Sequence, residues 1–108
     1  MPDLDQLLVA VSHGARRAIL ARLKQGPLGV TEIAAPFDLS LNAVSKHLKV
    51  LEAAGLIRRE RQGREHLISL QAGALRNVAD WARGYEAIWN HQLDRLEGHF
   101  RAKRRSKP

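Results

Sequence analysis

Residues 40–55, Ser-Leu-Asn-Ala-Val-Ser-Lys-His-Leu-Lys-Val-Leu-Glu-Ala-Ala-Gly, restrict the fold more than any other stretch of the chain. At helical pitch Leu41, Val44, Leu48 and Leu51 fall on one stripe. Asn42, Lys46 and Lys49 fall on the far side, with Ala43 and Ser45 beside them. Ser40 can accept a hydrogen bond from the free N–H groups of the first turn, and Gly55 supplies the left-handed residue that ends many helices. The result is a two-faced helix whose outer side carries no acidic residue before Glu52. A face of amide, hydroxyl and ammonium donors suits the base edges of the DNA major groove.

The flanking segments are short and follow the same logic. Leu4, Leu7, Leu8 and Val11 form an amphipathic stripe that predicts a first helix near residues 3–12. A second helix opens at Ser12 or His13, turns Ala15, Ile19, Leu20 and Leu23 inward, and ends at Gln25-Gly26-Pro27. Thr31 starts a third, limited by Pro36, so two short helices meet at a tight connection as in a helix-turn-helix. After Gly55, residues 56–61 and 65–70 read as strands around Gln62-Gly63-Arg64, a β-hairpin that must pack on the helices. Its tip carries Arg61 and Arg64 beside Gly63, a wing suited to phosphate or the minor groove.

The stretch from about Ala72 to Phe100 contains no proline and is expected to be one helix. Leu75, Val78, Ala82, Tyr85, Trp89, Gln92 and Leu96 recur at three-and-four spacing, broadened by Trp81, Ile88, Leu93 and Phe100. Such a helix spans roughly 40 Å, more than a core this small covers. A second copy of the chain is the economical cover for its apolar face. The expected interface comprises Leu4, Leu7, Leu8 and Val11 from the first helix with Val78, Trp81, Ala82, Tyr85, Ile88, Trp89, Leu93 and Leu96 from the last.

Length and composition narrow the function. The 108 residues suit one domain, expected to span 1–100, followed by a basic disordered tail at 101–108. There is no apolar run of membrane-spanning length and no basic-then-apolar leader, so a cytoplasmic protein without membrane partners is expected. With no cysteine, thiol chemistry and thiolate metal sites are excluded. The net charge of +7 is uneven: residues 40–66 carry six basic against three acidic side chains, whereas residues 1–39 carry four of each. Positive charge on the candidate reading helix and hairpin attracts phosphate.

Taken together these residues resemble the ArsR-type winged helix-turn-helix repressors. The strings that carry the resemblance are Arg16-Arg17-Ala18-Ile19-Leu20-Ala21-Arg22-Leu23, Val30-Thr31-Glu32-Ile33-Ala34, the run from Ala43 to Ile57, and Arg61-Gln62-Gly63-Arg64. The resemblance implies a mostly α fold with a β wing, in the order α-α-α-α-β-β-α, whose terminal helices form a dimer interface. It implies a homodimer that binds a palindromic operator in double-stranded DNA and represses its own or an adjacent operon. By position, Ser40, Asn42, Ala43, Ser45, Lys46, His47 and Lys49 match the recognition-helix surface, and Arg61, Gly63 and Arg64 match the wing. His47 stays open between a phosphate contact and packing on the neighbouring helix. Arg16 and Arg17 are open between phosphate contact and solvated or salt-bridged roles.

Many members of that family release DNA on binding metal or arsenical. Their cysteine site falls where this chain has Gly29, Thr31 and Glu32, so soft-metal sensing by that route is excluded. A second family metal site invites comparison with Asp80, His91 and Asp94, but Val78-Ala79-Asp80 stands where an Asp-x-His pair is needed. No metal, cofactor or small-molecule inducer is therefore expected, and nothing places a nucleophile beside an activating base as an enzyme requires. The alternative reading is a winged-helix module for protein–protein contact. It predicts a neutral or acidic outer helix face, contrary to Asn42, Lys46 and Lys49. An RNA-binding winged helix, the third reading, calls for aromatics exposed for base stacking. Trp81, Tyr85 and Trp89 are better accounted for by the dimer seam.

Overall fold

Capping residues divide the first half of the chain into helices. Asp3 Oδ1 accepts from Gln6 N–H at 2.8 Å to open α1 (Leu4–Val11), and His13 Nδ1 accepts from Ala15 N–H at 3.1 Å to open α2 (Gly14–Leu23). A two-residue strand β1 (Leu28–Gly29) precedes α3 (Val30–Ala34), where the Glu32 carboxylate returns to the Gly29 N–H. Ser40 then opens α4 (Leu41–Ala53). The C-terminus of α4 closes as a Schellman motif: Gly55, at φ 76°, donates to Glu52 O, and Leu56 donates to Leu51 O. The hairpin strands β2 (Ile57–Gln62) and β3 (Glu65–Leu70) follow, then a 3₁₀ turn (Ala72–Ala74), α5 (Leu75–Arg83) and α6 (Glu86–Arg105). The computed structural model describes residues 3–105, with side chains described for residues 3–98.

The mostly helical winged helix-turn-helix expected from the sequence is observed, with two departures in element order. The sheet has three strands in the order β1-β3-β2, all antiparallel, because Leu28 and Gly29 pair with Ile68 and Leu67. Strand β1 is too short for any alternation to register in the sequence. The expected single helix over 72–100 is broken between Arg83 and Glu86. There Gly84 and Tyr85 donate to the carbonyls of Trp81 and Ala82, three residues back. A Cβ on Gly84 would lie 3.2 Å from the Trp81 carbonyl oxygen, so this tightened turn favours glycine. Proline was not needed to interrupt the helix.

The chain forms two compact units, divided between Val78 and Ala79. The core of the first is built from every helix through α4 and from the hairpin. Leu7 and Ala10 of α1, Ile19 and Leu23 of α2, Ile33 of α3, Val44, Leu48 and Leu51 of α4, and Leu56, Ile57 and Ile68 are all buried. Burying each of these leucine, isoleucine and valine side chains contributes about 1.5–3 kcal/mol. Two expectations are corrected here. Leu7 belongs to this core and not to a surface open to a second copy, because α1 turns it fully inward. Leu41, expected on the inner stripe of α4, is 55% exposed, since the first turn of that helix extends beyond the edge of the core.

In the second unit α6 continues to Arg105, so the boundary expected at residue 100 falls within a helix. Residues 106–108 of the expected tail, and the Phe100 side chain, lie outside the described residues. Among the described residues no helix is long and apolar enough to cross a membrane.

Candidate nucleic-acid interface

The outer face of α4 is shaped by its own caps and by the core beneath it. Val44, Leu48 and Leu51 anchor one side completely. That anchoring leaves Asn42, Lys46 and Lys49 exposed, with Ala43, Ser45 and His47 half-buried along the flanks. Ser40 is exposed, and its Oγ accepts from Ala43 N–H at 3.1 Å, so it serves the helix end first. No acidic residue stands in the first turn. Among the described residues the ion pairs join Arg58 to Glu60, Arg59 to Glu52 and Arg83 to Asp80. Neither Lys46 nor Lys49 takes part in these pairs.

The wing is a two-residue hairpin turn, with Gln62 paired to Glu65 and Gly63-Arg64 between them. Gly63 has φ 64° while Arg64 does not have positive φ, the pattern of a type II′ turn with glycine first. Arg61 folds back over the tip, its Nε donating to the Gly63 carbonyl at 3.1 Å. Arg64 is left exposed at the apex. The strand below is less basic than its sequence implies, because Arg58 and Arg59 face Glu60 and Glu52 at 3.3 and 3.7 Å. Within the hairpin, the exposed arginines without an ion pair, Arg61 and Arg64, are thus at the wing tip, while Lys46 and Lys49 supply the positive charge of α4.

His47 resolves toward the neighbouring helix. Its ring lies 4.7 Å from that of His13 between centroids, tilted by 48°, and its Nδ1 is 3.3 Å from Arg16 Nη1. Since a guanidinium only donates, Nδ1 is the acceptor and the neutral ring carries its proton on Nε2. Burial, and then the positive fields of His13 and Arg16, hold the His47 pKa below its usual value of 6.5. Arg16 and Arg17 also turn toward α1. Arg16 donates to the Ala10 and Val9 carbonyls at 2.7 and 3.0 Å, and Arg17 donates to Val11 at 2.7 Å. Both satisfy the open carbonyl end of α1, where positive charge is favoured. The sequence showed the arginines but not this role. The clue was their position one short turn after the end of α1.

The residues expected at a dimer interface divide by exposure. Trp81, Tyr85, Ile88, Trp89, Leu93 and Leu96 are exposed. Leu4, Leu8, Val11, Val78 and Ala82 are half-buried, and Val11 and Val78 pack on the core of the first unit. Val9, not singled out from the sequence, is exposed on α1. Trp81 and Tyr85 meet edge to face at 5.7 Å. Asp80, one of the three residues weighed as metal ligands, is bound by Arg83. Among the described residues no group of three or more histidine or carboxylate side chains is placed to hold a metal ion.

Comparison with known proteins places this geometry in context. Residues 11–60 match a family model described as a helix-turn-helix domain. The chain is 40% identical over 98 residues to the HTH-type transcriptional regulator Rv2034 of Mycobacterium tuberculosis, covering 83% of this chain and 92% of that protein. It is 32% identical over 78 residues to the transcriptional repressor SdpR of Bacillus subtilis, covering 72% and 87%. Among solved structures, an ArsR family transcriptional regulator superposes with a TM-score of 0.74 at 33% identity, covering 83% of this chain and 97% of the other. These relatives are transcriptional regulators, not enzymes.

Proposed function

The chain belongs to the ArsR family of helix-turn-helix transcriptional regulators, and from that premise we propose that it is a cytoplasmic homodimeric repressor of its own or an adjacent operon, bound to a palindromic operator. The observation that carries this reading is the outer face of α4, where Asn42, Lys46 and Lys49 are exposed around a capped, acid-free helix start. Asn42 has the donor and acceptor to read an adenine edge bidentately, and the two lysines reach guanine or phosphate. Ser40, Ala43 and Ser45 border that surface and permit close approach to the groove. Arg64, at the apex of the wing, meets phosphate or the adjacent minor groove, with Gly63 setting the turn and Arg61 bracing it.

Dimerisation follows from the apolar residues of α5 and α6. Exposed Trp81, Tyr85, Ile88, Trp89, Leu93 and Leu96 are costly in water together and have the aromatic content of an interface core. A two-fold dimer presents two copies of α4 to a duplex and so reads inverted half-sites. The test is selection of bound duplexes from a random pool by the purified full chain. An enriched inverted repeat with half-site centres about one helical turn, or a multiple of it, apart is expected. Recovery of no sequence preference would contradict the reading and favour a module for protein contact.

A further inference from the structure

We propose that Arg16 is a positioning residue for the recognition helix, and that its contact with the unprotonated Nδ1 of His47 makes operator preference sensitive to protons. This rests on the DNA-binding reading above but invokes residues outside the DNA-facing surface. Arg16 is a three-way joint. Its Nε and Nη2 hold the Ala10 and Val9 carbonyls at the end of α1, and its Nη1 reaches His47 on α4. The other end of α4 is tied to the same helix, because Gln6 Nε2 donates to the Ala53 carbonyl at 3.1 Å. Arg16 of α2, itself seated on the end of α1, thus holds α4 at its middle, and Gln6 of α1 holds its C-terminus, so the orientation of the reading face depends on both contacts.

Only one of those two contacts can titrate. Protonation of His47 places an N–H on Nδ1, where the lone pair accepted from Arg16, and sets an imidazolium against a guanidinium. The groups facing His47 offer no relief: His13 and Arg16 are both basic, Lys46 precedes it on its own helix, and α1 contributes only carbonyls already held by Arg16. Burial and both neighbouring charges favour the neutral ring. The sign follows. A histidine pKa lowered by folding leaves the joint intact above the unfolded value of about 6.5 and opens it as pH falls through the lower folded value. The added positive charge simultaneously strengthens non-specific attraction to phosphate. Discrimination between operator and random DNA, rather than total affinity, is the quantity that acid erodes.

The experiment measures the preference of the full chain for its best selected duplex over a scrambled duplex, at fixed ionic strength, from about pH 7.5 to about pH 5.5. It compares the native chain with His47→Asn, whose amide oxygen accepts from Arg16 without titrating. The native preference is expected to fall about tenfold across this window while the variant stays flat. A flat native profile, or an equal fall in the variant, would overturn the proposal. Nitrogen NMR of the His47 ring in the DNA-free chain decides the case in which no duplex is preferred, or in which His47→Asn does not fold. A neutral ring protonated on Nε2, with a titration that Arg16→Met moves upward, supports the joint. A ring protonated on Nδ1, or a titration indifferent to Arg16→Met, refutes it.

Discussion

Helices α4 and α6 both carry apolar residues at three-and-four spacing, and they meet opposite fates. In α4 the stripe of Val44, Leu48 and Leu51 is fully buried by residues of the same unit, and the polar side faces out. In α6 Ile88, Trp89, Leu93 and Leu96 remain 49–59% exposed. Periodicity identifies a helix that has something to bury; it says nothing about what covers it. The first helix is finished by its own chain and is free to use its outer face for recognition. The second still carries surface that water does not favour.

Substitutions that exchange these fates test the contrast, and the largest effect belongs to the finished helix. Leu48→Ala empties a site with no solvent access and is expected to cost about 2–5 kcal/mol, read as a lower midpoint in denaturant unfolding. A loss below about 0.5 kcal/mol, the size of an ordinary surface change, would mean that α4 is not anchored as described. Trp89→Glu puts charge on the unfinished helix. It is expected to convert dimers to monomers in sedimentation while leaving the fold of the first unit unchanged, and dimers that persist would move the seam elsewhere. Arg64→Ala, at the wing tip, is the mildest. It is expected to reduce the salt dependence of DNA binding by about one released counterion, and an unaltered slope would remove Arg64 from the phosphate contacts.

Much of this was readable from the residues alone because local chemistry and tertiary structure agree. Ser40 and Gly55 bound α4 as expected, and Gly63 occupies the left-handed position in the wing turn. What escaped depends on contacts between segments distant in sequence. Strand β1 has two residues and exists only because β3 lies beside it. Leu7 and Leu41 both sit on apolar stripes, yet one is sealed and the other exposed, because core edges are set by neighbouring helices rather than by periodicity. The break at Gly84 was obscured by treating proline as the sole interrupter. His47 could be assigned to its neighbour only once Arg16, thirty-one positions away, was seen to hold it.

The central claim is that the exposed face of α4 reads DNA, and the most direct measurement is the affinity of Lys46→Ala/Lys49→Ala for a selected duplex at physiological salt. Neither lysine is buried or paired with a carboxylate, so unfolding and sedimentation should match the native chain. Binding is expected to weaken by about thirtyfold or more, the scale of losing two charge-assisted contacts of about 1 kcal/mol each or better. Native affinity and native preference in a folded, dimeric double variant would contradict it.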